Sequence, residues 1–445
     1  MTKNFYPELQ DEQSTQDRYV LQPYPGLKLF GSASSGVDRG MLEHQTILYK
    51  ITGTTFFSVA SDGVHTSKGT IAGTAQCILV GFGVGVVIAN GEGRVYFYDG
   101  STVAEITDSD LETPLTVAHL NNQAIYDGDG GRFVTSAAGD ATSIDGLDFA
   151  TAESNADDLI RVYTFNQSLY LYGEKTIEPW FNSGVGRPPY DRIDGGIITV
   201  GLAARMSLNN NDNFMYFLGD DRKVYRISSI SQAQSVSNIA LSNEFESYTT
   251  VSDAIGFNFT IQGQNFYQLN FPEEDRTWVF SESVSQWFEL GDTGRELSNS
   301  HAFAYGKNLV GDFSGPNIYE MDVNTFDING ASQIRIRDTG PLHGGLLGAP
   351  GNEIELNRFE LILERGVGLI SGQGSDPIII LQLSIDGGRT FGTEIWEHIG
   401  KSGEFLQKVQ WNGLGRASEF IARIKSSDPV PYCIHGANAD IELTI

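Results

Sequence analysis

Leu169-Tyr-Leu-Tyr-Gly-Glu-Lys-Thr-Ile-Glu-Pro-Trp-Phe-Asn-Ser-Gly184 reads as strand, tight turn and strand. Leu169 and Leu171 alternate with Tyr170 and Tyr172, the period-2 mark of a strand with two distinct faces. Residues 173–175 supply the turn, and Thr176-Ile-Glu178 opens the return strand. Pro179 has no N–H to give a ladder, so it is expected to end that strand or to lie on an edge. Trp180 and Phe181 then add large apolar area.

The same grammar recurs outward from this stretch. Asn90-Gly-Glu-Gly93 leads into Arg94-Val-Tyr-Phe-Tyr98 and Asp99-Gly100. Gln123-Ala-Ile-Tyr126 passes through Asp127-Gly-Asp-Gly-Gly131 into Arg132-Phe-Val-Thr135. Phe214-Met-Tyr-Phe-Leu218 turns at Gly219-Asp-Asp221 into Lys223-Val-Tyr-Arg-Ile227. Asn-Gly and Asp-Gly between apolar runs are hairpin signals, because type I′ turns need positive φ at both central residues. Six or seven such clusters fall between about 45 and 325, near the ~40–50-residue period of propeller blades. Radial repetition also removes long exposed sheet edges. The chain is therefore expected to be all-β, with a β-propeller of about six blades over residues 31–328. Stacked sandwiches are the bland alternative. Helix signals are nearly absent apart from a short turn around 235–243. Residues 1–30 are polar, without periodicity, and read as an arm that is disordered or docked on a neighbour.

Beyond residue 325 the texture changes. Ser332-Gln-Ile-Arg-Ile-Arg337 alternates cleanly, and a Gly/Pro-rich loop follows at 340–350. Strand-like runs then occupy 358–363, 378–385, 407–411, 420–425 and 434–443. Their regular alternation predicts a β-sandwich-like domain over 329–445.

A chain of 445 residues exceeds one hydrophobic core, as this division requires. Fifty-six Asp and Glu against 29 Lys and Arg give a net charge of −27. That sign argues against wrapping DNA by phosphate neutralisation and against an anionic membrane surface. Solubility is the bland reading of the charge. The two cysteines, Cys77 and Cys433, lie in apolar runs and read as unpaired buried thiols. The N-terminus lacks an apolar signal region, which points to synthesis in the cytoplasm. The apolar run 77–89 is too short for a spanning helix and reads as two strands around Gly81-Phe-Gly83.

Ser384-Ile-Asp-Gly-Gly-Arg-Thr-Phe391 fits the Asp-box pattern, with Ser384, Asp386, Gly388, Thr390 and Phe391 in the defining places. Asp386 can accept from backbone N–H groups of its own turn, so the motif is a hairpin tip rather than a catalytic centre. Glycoside hydrolysis needs two carboxylates across one cleft, and no pair stands out among so many acids. No catalytic residue, cofactor or metal is assigned. Asp127-Gly-Asp-Gly-Gly131 starts like a calcium loop, but Ala138 stands where the twelfth-position ligand belongs. Gly173-Glu-Lys-Thr176 is not a phosphate loop. The seven histidines form no HxH or HExxH pair.

Taken together, several stretches resemble the tail hub of short-tailed phages, also called the packaged-DNA stabilisation protein or tail accessory factor. They are Tyr24-Pro-Gly-Leu27, Tyr172-Gly-Glu-Lys-Thr-Ile-Glu-Pro-Trp180 and Leu218-Gly-Asp-Asp-Arg-Lys-Val-Tyr-Arg226. The C-terminal run is the most specific: the Asp-box turn to Gly392, Gln410-Trp411, Leu414-Gly-Arg416, Asp428-Pro429 and Ile434-His-Gly-Ala437. The resemblance implies a structural virion protein made in the host cytoplasm. It would form a homohexameric ring, the nozzle, below the portal and its adaptor, holding the genome in and docking a tail needle or fibres. DNA would pass through without specific binding. A sialidase-like or lectin-like propeller acting on or binding surface glycans is the competing reading. The loop 340–351 and a linker at 228–262 are where this chain would depart from the family.

Overall fold

In the computed structural model, residues 1–9, 19–152, 157–228 and 232–444 are described. The stretch 10–18 of the expected arm and 229–231 of the expected linker lie outside them. Seven antiparallel meanders of four strands radiate around one axis. Their innermost strands are Asp38–His44, Ile78–Phe82, Val117–Leu120, Leu159–Phe165, Asn209–Asn210, Ile255–Ile261 and Ser298–Ala304. Ser298–Ala304 packs against Asp38–His44 and closes the circle. The seventh blade takes its outermost strand, Gly26–Ser32, from the N-terminal side, paired with Asn317–Asp322. The propeller thus has seven blades, against the about six expected. The last cluster, around 301–321, shows only three of its strands in sequence, because the fourth comes from Gly26–Ser32.

The closure is polar as well as β-bonded. Asp38 and Lys50 of the first blade lie 3.7 Å apart, fully buried. Ser300 of the seventh blade donates to Asp38 Oδ2 (2.6 Å), and Lys50 Nζ donates to Asn317 O (2.7 Å). Burial outweighs the pairing: it pushes Asp38 up and pulls Lys50 down.

The stretch first quoted is the fourth blade's second and third strands, Ser168–Gly173 and Ile177–Asn182. Pro179 neither ends its strand nor lies on the outermost one. Its carbonyl accepts from Ile193 N (3.0 Å), just beyond the short outer strand Tyr190–Arg192. A residue's N–H and C=O point to the same side of a strand, so the missing donor faces that outer side. The ladder to Ser168–Gly173 needs nothing from it.

The expected linker 228–262 is not a linker. It carries the fifth blade's outer strand Gln234–Ser235, the helix Ile239–Ser247 and the sixth blade's inner strand. Asn238 caps the helix by accepting from Leu241 N (2.9 Å), and the helix buries Leu241 and Phe245. Arg222 Nη1 donates to the carbonyls of Phe245, Glu246 and Tyr248 and satisfies its C-terminal end.

The C-terminal part is two sheets packed face to face. One pairs Arg335–Asp338, Glu419–Ser426, Ile378–Ser384 and Ile395–His398; the other pairs Tyr19–Pro23, Ile434–Leu443, Ile354–Leu363 and Val409–Asn412. Phe359, Leu361, Ile379, Leu381, Trp411 and Ile424 fill the space between.

The N-terminal strands join the two halves. Thr2–Lys3 pairs in parallel with the sixth blade's outer strand and antiparallel with Arg335–Asp338. One ten-stranded sheet therefore runs from the propeller axis to the sandwich edge. Phe5 and Tyr6 point to opposite sides of their strand. Phe5 enters the sandwich core and Tyr6 the propeller core, so one dipeptide anchors both. Lys3 is bonded to Glu289 (3.2 Å), and Asn4 Nδ2 donates to Gly291 O and Ile334 O. The described part of the arm is docked on its own chain.

Candidate functional site

A meander places alternate connections at opposite ends of the blades. Loops that lead into each inner strand share one end with the turns between second and third strands. That end is acidic. Loop 106–116 carries Asp108, Asp110 and Glu112; loop 236–254 carries Glu244, Glu246 and Asp253; turn 272–275 carries Glu273, Glu274 and Asp275. At the other end, the connections carry Asp62, Asp99, Asp212 and Glu282 as their acids.

Many of these carboxylates bind backbone N–H groups across blade junctions. At the first to second junction, Glu92 Oε1 accepts from Thr74 N (2.7 Å) and Ala75 N (2.9 Å). Glu112 accepts from Asp129 N (2.8 Å) and Arg132 Nη1 (2.8 Å) at the next. Asp157 Oδ2 accepts from Lys175 N (2.7 Å) and Thr176 N (3.0 Å) at the third. Asp220 Oδ1 accepts from Gly201 N (3.0 Å) at the fourth. Glu274 Oε1 accepts from Thr249 N (2.5 Å) and Thr250 N (3.1 Å) at the fifth. At the last two junctions the corresponding turns are tied backbone to backbone, Phe313 N to Leu297 O and Gly53 N to Val37 O. An ionised carboxylate offers only acceptors, which suits loops full of unpaired N–H groups. The bonds from Thr74 and Ala75 hold the Glu92 carboxyl below its usual range. Sequence inspection did not find these ties. Their signal is the concentration of acids in the connections of one end.

The opposite end is built differently. Gln45-Thr46, Asn121-Asn122 and Asn166-Gln167 place both residues at positive φ, the type I′ geometry of two-residue hairpins. Val64, Val84 and Val185 stand exposed among these neutral connections.

Two adjoining cavities lie on the propeller axis. One of about 130 Å³ is lined near the acidic end by Gln76, Cys77, Met206 and Leu208. One of about 510 Å³ is lined toward the neutral end by Gly81, His119, Thr164 and Phe303. Arg161, Asn209 and His301 line both. These are small-molecule volumes. A duplex whose major groove alone is about 12 Å wide does not fit them.

The Asp-box turn lies at the tip of Ile378–Ser384, in the sandwich. Gly387 (φ 75°) and Gly388 (φ 85°) take the left-handed conformation the tip requires. Asp386 accepts from Ser384 Oγ (2.7 Å), Arg389 N (3.0 Å), Thr390 N (2.9 Å) and Thr390 Oγ1 (2.5 Å). These bonds, Thr390 foremost, hold its carboxyl well below the usual range, so both oxygens are occupied by the turn itself. Ser384 Oγ accepts from Gly388 N (2.9 Å), and the Arg423 guanidinium lies 3.7 Å over the Phe391 ring. Among the described residues no group of His, Cys, Asp and Glu could hold a metal ion, and no helix is long and apolar enough to cross a membrane. Both cysteines are free; Cys77 is buried, whereas Cys433 is only half-buried, beside Gln22 and Glu364. Burial pushes both thiols up to about 12.

The family model described as Bacteriophage P22 Gp10, beta-propeller, matches residues 1–326, and that described as Bacteriophage P22 Gp10, beta-sandwich, matches residues 342–442. The chain belongs to this family. Its members are the tail nozzle or packaged-DNA stabilisation proteins of short-tailed phages, so the chain is a structural protein of the virion tail that assembles with other virion components. No curated protein matches it. Among solved structures, the WD40 domain of Neurospora crassa Pan2 aligns at 8% identity and TM-score 0.43, over 71% of this chain and 98% of that one. BamB from Moraxella catarrhalis aligns at 9% identity and TM-score 0.43, over 72% and 97%. Likenesses this distant add nothing to the fold already read from strand pairing.

Proposed function

We propose that the chain forms the ring-shaped nozzle of a short phage tail, below the portal and adaptor, retaining the packaged genome and forming its exit channel. The carrying observation is the small axial cavity of a tail protein: a duplex can pass only between copies, which requires a ring. The ring is a homohexamer, docks a needle or fibres on its far side, and carries out no catalysis. Residues 31–328, completed by the blade strand Gly26–Ser32, form its propeller unit, and 329–445, completed by Tyr19–Pro23, its sandwich unit, joined by Thr2–Lys3 and the Phe5-Tyr6 strand.

The acidic end of the propeller faces the channel. Exposed Asp158, Glu174, Asp194 and Glu246 belong to it, and their field reaches roughly a Debye length of ~8–10 Å. That field keeps phosphates off the wall, so the duplex slides without binding. Neighbouring copies meet through the sandwich loops 366–377 and 399–408, which are packed together by Gly403 N donating to Gly366 O (3.1 Å). They present Ile370, 99% exposed, and Leu406, 93% exposed; apolar groups displayed together in this way mark contact surfaces.

Native mass spectrometry of the pure protein, alone and with the portal complex, tests the reading. A closed multimer on the portal is expected. A chain that stays monomeric and never joins the portal overturns it. Ile370→Glu with Leu406→Glu is expected to disperse the multimer while leaving the circular dichroism spectrum unchanged.

A further inference from the structure

We propose that the axial cavity of the propeller is a binding site for a small oxyanion of the phosphate class, gripped by Arg161. This goes beyond the nozzle reading, which assigns the cavity no ligand. Arg161 lies on the fourth blade's inner strand, is 7% exposed and lines both axial cavities. Its Nη1 donates to Arg205 O (2.7 Å) and Leu208 O (3.0 Å), while its Nε is buried with no partner. The narrower cavity has no carboxylate in its lining, and the wider one has only Glu43. In a chain of net charge −27, a buried cation facing an acid-free cavity is an exception.

Two other buried arginines show what a purely structural guanidinium looks like here. Arg39 is surrounded by the carbonyls of Gly53, Ile71, Ala72, Ala75 and Asn90. Arg335 bonds Asp428 O and Phe326 O and lies against the rings of Phe326 and Tyr432. Neither lines an axial cavity. Arg335 Nε is unpartnered too, but it is walled in by rings; of the three, Arg161 alone lines an axial cavity into which an unfilled donor can take a ligand. A buried charge left unpaired is costly, and the planar guanidinium fork matches an oxyanion in two-point contact. The same lining supplies a complementary acceptor: Asn299 Oδ1 is buried without a partner and can receive the proton of monohydrogen phosphate.

Titration of the full chain with inorganic phosphate tests this, read by phosphorus NMR line width at constant ionic strength maintained with chloride. Saturable broadening, competed by sulfate, is expected. Arg161→Gln is expected to weaken it at least about tenfold, the loss typical of a charge-assisted pair. Thr164→Glu, which keeps Arg161 but adds an anion to the lining, is expected to do the same and serves if Arg161→Gln does not fold. An adventitious ion only, meaning unsaturable broadening or broadening equal in wild type and Thr164→Glu, overturns the proposal.

Discussion

The two ends of the propeller are made by the same strands yet joined by opposite chemistry. At one end, two-residue turns of Asn, Gln and Thr satisfy their own backbone through type I′ geometry. At the other, long loops leave N–H groups that only a side chain can reach, and carboxylates reach them at five successive blade junctions. The acidity of this chain is thus not a uniform coat. Within the propeller, part of it fastens blades together at one end, and further carboxylates gather at that same end.

Removing all five ties tests the contrast hardest. Alanine at Glu92, Glu112, Asp157, Asp220 and Glu274 together is expected to lower the melting temperature by about 5 °C or more. Alanine at Asp62 and Asp212, at the neutral end, is expected to shift it by less than about 2 °C, as surface substitutions do. Equal losses would erase the distinction.

Glu296 lies beneath the acidic end, and burial pushes its carboxyl up to about 7. A raised carboxyl contributes stability below its unfolded value near 4.5, and that contribution is lost as pH rises through about 7. Glu296→Gln is therefore expected to stabilise the chain by about 3 kcal/mol at pH 8 and by little at pH 5. Denaturant melts at both values check this.

The smallest effect concerns one tie. Glu92 is held below its usual range by Thr74 N and Ala75 N. Its contribution is present above pH 4.5 and fades as pH falls through the folded value. Hydrogen exchange at Thr74 and Ala75 is expected to quicken in Glu92→Gln at pH 6, with little change at the Asn121-Asn122 turn.

Strand existence was legible because period-2 runs such as Leu169 to Tyr172 and turns such as Asn90-Gly91 are local signals. The seventh blade's outer strand was not, because Gly26–Ser32 and Asn317–Asp322 meet across nearly the whole propeller. The arm misled for a related reason: Phe5 and Tyr6 reveal their two cores only once both exist. Pro179 was misplaced because sequence does not say which side of a strand lacks a partner. The Asp-box turn was readable residue by residue, since all its bonds are local. The acid ties and Arg161 were not, since each depends on a loop or cavity brought together by ring closure.

Electron cryomicroscopy of the purified chain bound to the portal and adaptor tests the central claim most directly. The account predicts a ring whose opening lies between copies, wide enough for a duplex, with the 106–116 and 236–254 loops turned toward it. A single copy on the portal, or an opening walled by the neutral turns at Asn121 and Asn166, would contradict it.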